Sequence, residues 1–247
     1  MKTEKIINII KDNLKTLFAA LLIAVLIRSL MVQPFYIPSS SMEPTLLIGD
    51  RIFVSKFSYG YSKHSFPFSP NISDNRFFFK NPQQGDLVVF KTPSDNRTDY
   101  IKRLIGLPGD KIQFVNGEIY INEKKIKRKS ITLTEPIRCG NFIFKTKAFI
   151  ETLPNGVQYF ATYNEQGTLQ NTKKYVVPQN HYFLMGDNRD CSKDSRFLDD
   201  VGFVNQLNLV GKAKIIFFSN DTKRGSLLKF WNLQNSFRLE RTFKGLK

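Results

Sequence analysis

An uncharged, apolar run near the N-terminus constrains this chain more than any other feature. The run extends from Thr16 to Ile27 and, after the single charge of Arg28, continues to Val32. As a helix, residues 16–32 rise about 25 Å, close to the thickness of a bilayer's hydrocarbon core. Lysines precede the run at positions 2, 5, 11 and 15, and such an excess of positive charge is typical of the cytoplasmic flank. The run therefore predicts a cytoplasmic tail over residues 1–15, a transmembrane anchor over 16–33 and an extracytoplasmic body over 34–247.

Two other interpretations of this run stay open. A cleavable signal peptide has the same charged and apolar regions, and Ser39, Ser40 and Ser41 are small residues at a plausible cleavage position. A buried core helix is less well supported, because Pro34 would end it and no amphipathic stripe is visible.

Composition limits the class of the remaining chain. With 247 residues, 41% of them hydrophobic, the chain holds enough apolar material for one or two domains with a core. Its 37 Lys and Arg against 21 Asp and Glu give a formal charge of +16. That charge favours an anionic neighbour, either a lipid surface or nucleic acid, although a generally basic surface would account for it as well.

Histidines and cysteines are too few and too far apart to indicate a metal centre. His64 and His181, and likewise Cys139 and Cys191, lack the spacing of a zinc or haem motif, so no metal and no cofactor are expected. A disulfide between the two cysteines cannot be deduced from their positions. We expect each cysteine to be a free, partly buried thiol.

Beyond Asp50 the sequence is typical of β-structure. Apolar runs bounded by glycine or proline predict strands at residues 51–57, 86–91, 98–105, 182–185 and 209–218. Asn116-Gly117 lies between alternating apolar residues and predicts a hairpin. Residues 124–174 are basic and irregular with strand-like pieces, and we place them in an inserted β subdomain of about residues 111–180. The basic tail after Asn220, which holds Trp231, is expected to be peripheral.

A long loop with an aromatic run separates the first two of these strands. It covers residues 58–84 and contains Arg76-Phe-Phe-Phe-Lys80. Phenylalanines flanked by cations suit the membrane interface, whereas three consecutive aromatic residues are also typical of a buried strand. Both alternatives stay open.

Three consecutive serines join the apolar run to the β region. Pro38 precedes Ser39–Ser41 and Pro44 follows, so the serines are expected on a stiff, non-helical turn. A hydroxyl on such a turn is a candidate nucleophile, but it is inert until a base takes its proton. Neither histidine has a sequence context that supports a Ser/His/Asp triad.

Lys102 is the candidate base. It lies in an apolar strand beside Arg103, and because a strand alternates its faces, at least one of these two cations must point inward. Desolvation would lower the pKa of a buried lysine from about 10.4 toward 7 or 8, where it can act as a general base. The alternative is a solvated surface lysine, which is the commoner fate of this residue type.

Four short motifs stand in order along the chain. They are Ser39-Ser-Ser-Met-Glu-Pro-Thr-Leu46, Gly85-Asp-Leu-Val-Val-Phe90, Tyr100-Ile-Lys-Arg-Leu-Ile-Gly-Leu-Pro-Gly-Asp110 and Gly186-Asp-Asn-Arg-Asp-Cys-Ser-Lys-Asp-Ser-Arg196. In this order they resemble the conserved boxes of the bacterial type I signal peptidases, and the resemblance extends from residue 17 to about residue 218. It implies a membrane-bound serine endopeptidase with a mainly β fold, in which an antiparallel β-barrel-like catalytic domain follows a transmembrane helix.

The resemblance also implies a role for each matching residue. Ser41 matches the nucleophile and Lys102 matches the general base. The hydroxyl of Ser39 and the backbone N–H of Ser41 match the oxyanion hole, and Ser192 matches the hydroxyl that orients the lysine. Charges that brace the site are matched by Asp187, Asp194, Arg196 and Arg103. Shallow pockets for small substrate side chains at positions −1 and −3 are matched by Phe35, Ile37, Pro38, Met42, Leu46, Tyr100, Ile101 and Leu184.

The chain departs from the family pattern in a few places. Ser40 stands where many members have glycine, and Cys191 stands where asparagine is usual. Neither change removes a catalytic atom, but a thiol beside Ser192 raises the question of redox sensitivity. Cys139 has no near partner in sequence, so the disulfide that some relatives have in the inserted region is not expected here.

The same resemblance implies the partners and the location. The partners are exported preproteins, cut after small residues of the Ala-x-Ala type, and the phospholipid membrane, without nucleic acid. The catalytic region would lie on the periplasmic or extracytoplasmic side of the bacterial plasma membrane, with a cytoplasmic N-terminus. Two other classes stay open on the residues alone. A self-cleaving, repressor-like protease uses a similar Ser/Lys pair but needs no apolar anchor, and a basic, membrane-anchored β module would bind anionic lipid or nucleic acid without catalysis.

Overall fold

The N-terminus is a long helix that leads directly into the first strand. The computed structural model describes residues 2–71, 73, 75–133, 136–140, 142–164, 167, 169–221 and 237–246. Helix α1 (Lys2–Leu30) contains a span, Glu4–Leu30, that is long and apolar enough to cross a membrane. It begins earlier than the predicted anchor because residues 2–15 contain good helix formers and neither proline nor glycine. It ends before residue 33 because Pro34 favours an extended conformation at the preceding residue.

The remainder of the described chain consists of strands joined by turns and short 3₁₀ helices. The strands are β1 (Val32–Tyr36), β2 (Asp50–Ser55), β3 (Leu87–Lys91), β4 (Asp99–Gly106), β5 (Lys111–Val115), β6 (Glu118–Ile121), β7 (Lys124–Lys125), β8 (Lys127–Ile131), β9 (Arg138–Cys139), β10 (Phe142–Ile143), β11 (Thr146–Thr152), β12 (Gln158–Asn164), β13 (Tyr175–Val176), β14 (His181–Met185), β15 (Val204–Asn205), β16 (Leu209–Ser219) and β17 (Lys244–Gly245). The predicted mainly β fold behind an apolar helix is confirmed.

An antiparallel sheet of eight strands forms the centre of the body. Its order is β1-β2-β16-β3-β4-β14-β15, and β17 adds to β16. Register shifts interrupt β16 against both of its main neighbours and β14 against β4. Such bulges bend the strands and increase the local twist. Although three strands separate β1 from β4 in the sheet, residues of both strands line one cleft.

Strand β3 shows why this sheet is buried on both faces. Leu87 and Val89 belong to one apolar cluster, and Val88 and Phe90 belong to another. Successive side chains of a strand point to opposite faces, so both faces of β3 carry a core. A continuous apolar run, rather than an alternating one, is the sequence pattern of such a strand.

Strands β5 to β13 form smaller antiparallel sheets beside the main one. Their orders are β13-β5-β6-β7, β12-β11-β8 and β10-β9. The turn between β5 and β6 has positive φ angles of 51° at Asn116 and 74° at Gly117, so the predicted hairpin is confirmed. The boundaries of a separate subdomain at about residues 111–180 stay a prediction.

The aromatic run in the loop of residues 58–84 is mostly exposed. Phe77 forms an isolated bridge with Tyr61, and the side chains of Phe77 and Phe78 are 55% and 80% exposed. Only Phe79 packs against a core cluster. The alternative of a buried strand is therefore wrong for this run.

Residues 237–246 of the tail after Asn220 are not peripheral, contrary to the prediction. Arg241 Nη2 lies 2.6 Å from Asp50 Oδ2 and donates to the Thr45 carbonyl oxygen at 2.9 Å. Strand β17 extends the main sheet along β16. Residues 237–246 therefore brace the segment that follows the serines, while Trp231 lies outside the described residues.

Cys139 and Cys191 form a disulfide, so the expectation of two free thiols is wrong. The hairpin of β9 and β10 folds over the loop that follows β14, and the Asn188 side chain donates to the Arg138 carbonyl oxygen at 2.8 Å. A separation of 52 residues hides this proximity in the sequence. The pairing could not be predicted, because it requires residues far apart in sequence to meet in the folded chain.

Candidate active site

The serine turn connects β1 to β2 and is held by backbone contacts. Ser40 and Ser41 are buried, whereas Ser39 is exposed. The Glu43 N–H donates to the Ser40 carbonyl oxygen at 3.0 Å, and the Asn188 N–H donates to the Ser41 carbonyl oxygen at 3.1 Å. The loop after β14 therefore positions the backbone of Ser41 from behind.

Lys102 reaches Ser41 from strand β4. Its Nζ lies 2.7 Å from Ser41 Oγ, in hydrogen-bond contact, and the residue is only 4% exposed. Burial lowers the pKa of Lys102 from 10.5 to about 8, against the raising effect of Asp194, while Arg196 lowers it as burial does. In its neutral form, a lysine at this distance can accept the proton of the serine hydroxyl.

Arg103 is also buried and faces the other side of β4. Its Nε and Nη2 donate to the two carboxylate oxygens of Asp187 at 2.8 and 2.7 Å, and Nη1 donates to the Gly85 carbonyl oxygen at 2.8 Å. Thr45 Oγ1 donates to the same carboxylate at 2.5 Å. This bidentate pair joins β4, the loop after β14 and the serine turn, so Asp187 and Arg103 brace the site from behind.

Ser192 is near the site, but its hydroxyl is bound to Asp194. Ser192 Oγ donates to Asp194 Oδ2 at 2.7 Å, and within the described ranges it makes no hydrogen bond with Lys102. Arg196 Nε lies 2.8 Å from Asp194 Oδ1. Although burial alone would raise the pKa of Asp194, the charge of Arg196 and the hydrogen bonds to the carboxylate hold it below its ordinary value. Asp194 therefore fixes Ser192 and supplies a negative charge near Lys102.

Two hydrogen-bond donors flank the Ser41 hydroxyl. Ser39 Oγ lies 3.4 Å from Ser41 Oγ. In the part of the chain that the structure describes, no group accepts a hydrogen bond from the Ser41 N–H. Both donors are therefore available to an oxygen atom bound beside Ser41.

A mainly apolar cleft of about 390 Å³ opens over Ser41 and Lys102. One wall is β1 with the residues up to Met42, and the other is the segment from Thr98 to Lys102. The lining consists of Phe35, Tyr36, Ile37, Pro38, Ser39, Ser41, Met42, Ile52, Val89, Thr98, Asp99, Tyr100, Ile101, Lys102, Cys191 and Lys193. Six of the eight predicted pocket residues are among them.

The other two predicted pocket residues do not line the cleft. Leu46 is fully buried in the apolar cluster beneath the serine turn, and Leu184 belongs to the cluster on another face of the sheet. Ile52 and Val89 reach the cleft instead, from the middle of β2 and β3. Both residues lie in segments predicted as strands, but only the bending of the sheet determines that they reach the cleft.

Gly186 and Asn188 support the site and were not among the predicted residues. A Cβ at Gly186 would lie 2.3 Å from Ser192 Oγ and 2.5 Å from the Ser41 carbonyl oxygen, so no side chain fits there. Asn188 Nδ2 donates to the Ser40 carbonyl oxygen at 3.1 Å. Both residues lie in the motif of residues 186–196, and its density of turn-forming residues was the available signal.

Comparisons with known proteins find similarity along most of the chain. Residues 10–218 match a family model described as signal peptidase, peptidase S26. A signal peptidase I of Rickettsia typhi is 41% identical over 268 residues, which cover 99% of this chain and 96% of the relative. Proteins of the same name from Rickettsia conorii and Rickettsia akari are 43% and 44% identical, and each match covers 91% of this chain and 88% of the relative.

A solved structure is also similar in sequence over part of the chain. It is a signal peptidase I from Enterococcus faecalis V583, 28% identical, and the match covers 54% of this chain and 97% of that one. The superposition has a TM-score of 0.31.

Proposed function

Because this chain belongs to the peptidase S26 family of signal peptidases, we propose that it cleaves signal peptides from exported preproteins with Ser41 as nucleophile and Lys102 as general base. The observation that carries the assignment is the 2.7 Å contact between Lys102 Nζ and Ser41 Oγ in a buried setting. A non-catalytic lipid or nucleic-acid module is no longer needed to account for the chain, since its family consists of serine endopeptidases.

The first step is attack of Ser41 on the scissile carbonyl. Ser41 Oγ forms a bond to the carbonyl carbon, its proton moves to Lys102 Nζ, and the carbonyl electron pair moves onto oxygen. With a pKa of about 8, roughly one tenth of Lys102 is neutral at pH 7, against about one part in three thousand for an ordinary lysine. Burial of Lys102 therefore makes the neutral, basic form of this lysine several hundred times more abundant at pH 7 than it would be in an ordinary lysine.

The oxyanion of the tetrahedral intermediate is stabilised by the Ser41 N–H and the Ser39 hydroxyl. These are the two donors beside Ser41 Oγ. Loss of one donor from such a site raises a barrier by about 3 to 4 kcal/mol. Ser39 lies on the exposed side of the turn, so its hydroxyl can rotate toward the substrate oxygen as that atom becomes charged.

The second half of the reaction uses the same groups in reverse. Protonated Lys102 donates to the leaving amine as the peptide C–N bond breaks, which leaves an ester on Ser41. Lys102 then removes a proton from a water molecule, the water oxygen attacks the ester carbonyl, and the Ser41 oxygen leaves and regains its proton from Lys102. Ser192 contributes indirectly: its hydroxyl binds the carboxylate of Asp194, and the same carboxylate pairs with Arg196.

The cleft supports a preference for small side chains. An extended substrate segment can add to β1, which has a neighbour on only one side among the described strands. Ile37 and Met42, on the same wall as β1, and Ile101, on the opposite wall, line the cleft that holds Ser41. These walls leave shallow pockets, so an Ala-x-Ala segment is the substrate that fits.

The apolar helix and the family together support a membrane anchor. In this proposal, residues 1–15 stay in the cytoplasm, residues 16–33 span the plasma membrane, and residues 34–247 form the extracytoplasmic catalytic region with its inserted β region at about 111–180. The excess of lysines in residues 1–15 supports this orientation, because positively charged flanks of a membrane span tend to stay in the cytoplasm.

Cleavage of a preprotein with an Ala-x-Ala site by the full chain in detergent tests the site assignment. Ser41→Ala and Lys102→Met should each lower kcat/KM at least about a thousandfold, because each removes an atom that takes part in bond formation or proton transfer. Ser130→Ala and Lys129→Met are matched controls on exposed positions of β8 and should keep wild-type activity. The N-terminus of the product, read by mass spectrometry, reports the cleavage position.

The outcomes separate the site from the family. If Ser41→Ala or Lys102→Met retained activity within tenfold of the wild type, the nucleophile or the base would be assigned wrongly, while the chain would remain a signal peptidase. If the wild type released no signal peptide from any preprotein supplied, the substrate class itself would be wrong.

A further inference from the structure

A second cavity, of about 360 Å³, opens where α1 meets the body. It lies beside the catalytic cleft, since Phe35 and Asp99 line both cavities. Its walls come from the end of α1, the 3₁₀ turn with His64, the following aromatic segment, and the turn between β3 and β4. The peptidase mechanism uses none of its polar side chains.

Positive charge is in excess in this cavity. Arg28, Lys91 and Arg97 line it, against the single carboxylate of Asp99. Lys91 Nζ lies 2.9 Å from Asp99 Oδ2, so that carboxylate already has a partner. Across the described ranges, neither Arg28 nor Arg97 has a carboxylate within salt-bridge distance. Two guanidinium groups are therefore left without a counter-charge at the cavity.

Burial lowers the pKa of two neighbouring basic groups, and charges at the cavity modify both shifts. The pKa of Lys56 is lowered from 10.5 to about 8 by burial; the charges of Arg28 and Lys91 add to that shift, while Asp99 opposes it. Burial likewise lowers the pKa of His64 from 6.5 to about 4, with further contributions from Lys63 and Lys91. Further positive charge is thus disfavoured, and the ligand that would relieve the repulsion is an anion.

The cavity also lies at the level expected for lipid headgroups. Arg28 directly follows the uncharged run that ends at Ile27. The end of α1 is attached to the body, because Tyr61 Oη donates to the Leu30 carbonyl oxygen at 2.7 Å and the Lys56 N–H donates to the Met31 carbonyl oxygen at 3.0 Å. Arg28 lies near the outer end of the proposed span of residues 16–33, so its long side chain can extend to the headgroup level.

An exposed aromatic side chain completes the arrangement. Phe68 lines the cavity and is fully exposed. A large apolar side chain with no cover in a soluble environment suits the acyl region just below the headgroups. The cavity therefore combines unpaired guanidinium groups with an apolar rim.

We propose that this cavity binds the phosphate group of an anionic phospholipid through Arg28 and Arg97, with the acyl chains lying along α1 and Phe68. The guanidinium group matches the geometry of phosphate oxygens and forms two parallel hydrogen bonds with them. A lipid bound here would hold the neighbouring catalytic cleft at a fixed height above the bilayer. The site does not depend on the assignment of Ser41 or Lys102.

The test titrates the purified full chain in neutral detergent with short-chain phosphatidylglycerol and, separately, with phosphatidylcholine of the same chain length. Bound lipid is counted by native mass spectrometry. The wild type should bind phosphatidylglycerol at least tenfold more tightly than phosphatidylcholine. Arg28→Gln/Arg97→Gln should lose at least tenfold in affinity for phosphatidylglycerol, whereas Lys127→Gln/Lys129→Gln, with the same change of charge at exposed positions of β8, should bind as the wild type does.

Inorganic phosphate at millimolar concentration forms the second arm. Displacement of the lipid by phosphate would show that the phosphate group alone fills the site, and binding that resists phosphate but still needs both arginines would show that the acyl chains contribute. Arg97→Gln alone should lose affinity severalfold. Because Arg97 lies on an exposed turn, this single variant should fold normally, so its loss of affinity cannot be ascribed to misfolding. Equal binding by the wild type and the double variant, an equal loss in the control, or no preference for phosphatidylglycerol would each overturn the proposal.

Discussion

Replacing Lys102 with methionine tests whether the protein holds this lysine neutral at the expense of its own stability. The pKa of Lys102 is lowered from 10.5 to about 8, which corresponds to about 3 kcal/mol. The folded pKa lies below the unfolded one, so between these values the unfolded chain binds more protons. The unfolding free energy of the wild type must therefore rise with pH across this window, while the penalty is present in full below pH 8. Methionine has no charge to lose and escapes the penalty at every pH.

The magnitude follows from the two pKa values. Relative to Lys102→Met, the wild type should gain about 2 to 3 kcal/mol of unfolding free energy between pH 7 and pH 10. Changes of packing contribute equally at both pH values and cancel in this comparison. Lys56, whose pKa is also lowered, is present in both proteins and cancels as well. Lys129→Met, at an exposed position, is the matched control and should show no such pH dependence.

Thermal unfolding of the full chain in one detergent, at pH 7 and at pH 10, measures the effect. For a chain of this size, that difference corresponds to a relative shift in Tm of about 5 to 10 °C. A difference between wild type and variant that changes by less than about 0.5 kcal/mol between the two pH values would refute the reasoning, since Lys102 would then titrate as an ordinary lysine. The kcat/KM of the wild type gives a second readout and should rise with pH on a limb of apparent pKa about 8.

Three further predictions concern the oxyanion site, the disulfide and the cleft. Ser39→Ala should lower kcat by about a hundred- to a thousandfold with little change in KM, because it removes a donor that acts in the transition state; steady-state kinetics would contradict this if kcat were unchanged. Cys139→Ser/Cys191→Ser should lower the unfolding free energy by about 4 kcal/mol, since the disulfide closes a loop with a sequence separation of 52. Chemical unfolding with and without reductant measures this effect, and a reductant that left the stability of the wild type unchanged would contradict the disulfide. Ile101→Ala should raise kcat/KM at least about tenfold for a preprotein with valine in place of alanine at position −1 or −3, because it deepens the cleft wall, and an unchanged preference would mean that Ile101 does not limit the pocket.

Local patterns were sufficient to place most of the secondary structure. Strand β3 was visible as an apolar run, the hairpin at Asn116 and Gly117 as a turn dipeptide, and the second half of α1 as an apolar segment that Pro34 must end. Each signal depends on the conformational preferences of a few adjacent residues, so no distant part of the chain is needed to recognise it. The motifs that carry Ser41 and Lys102 were recognisable for the same reason, because each is a short, contiguous stretch.

Contacts between distant segments were decided only by the tertiary structure. Examples are the disulfide of Cys139 and Cys191 and the ion pair of Arg241 with Asp50. The exclusion of Leu46 and Leu184 from the cleft belongs with them.

One physical reason explains why local patterns predicted the strands but not the contacts between distant residues. Alternation along a strand determines which side chains point inward, but a sheet with two buried faces has more than one interior. Bulges in β14 and β16 set how far the sheet bends, and the bend determines which inward side chains of β1 and β4 meet across a single cleft. The sequence by itself therefore determined the strands and the chemistry of their residues, while only the bent sheet, closed by contacts far apart in the chain, decided which of those residues share a site.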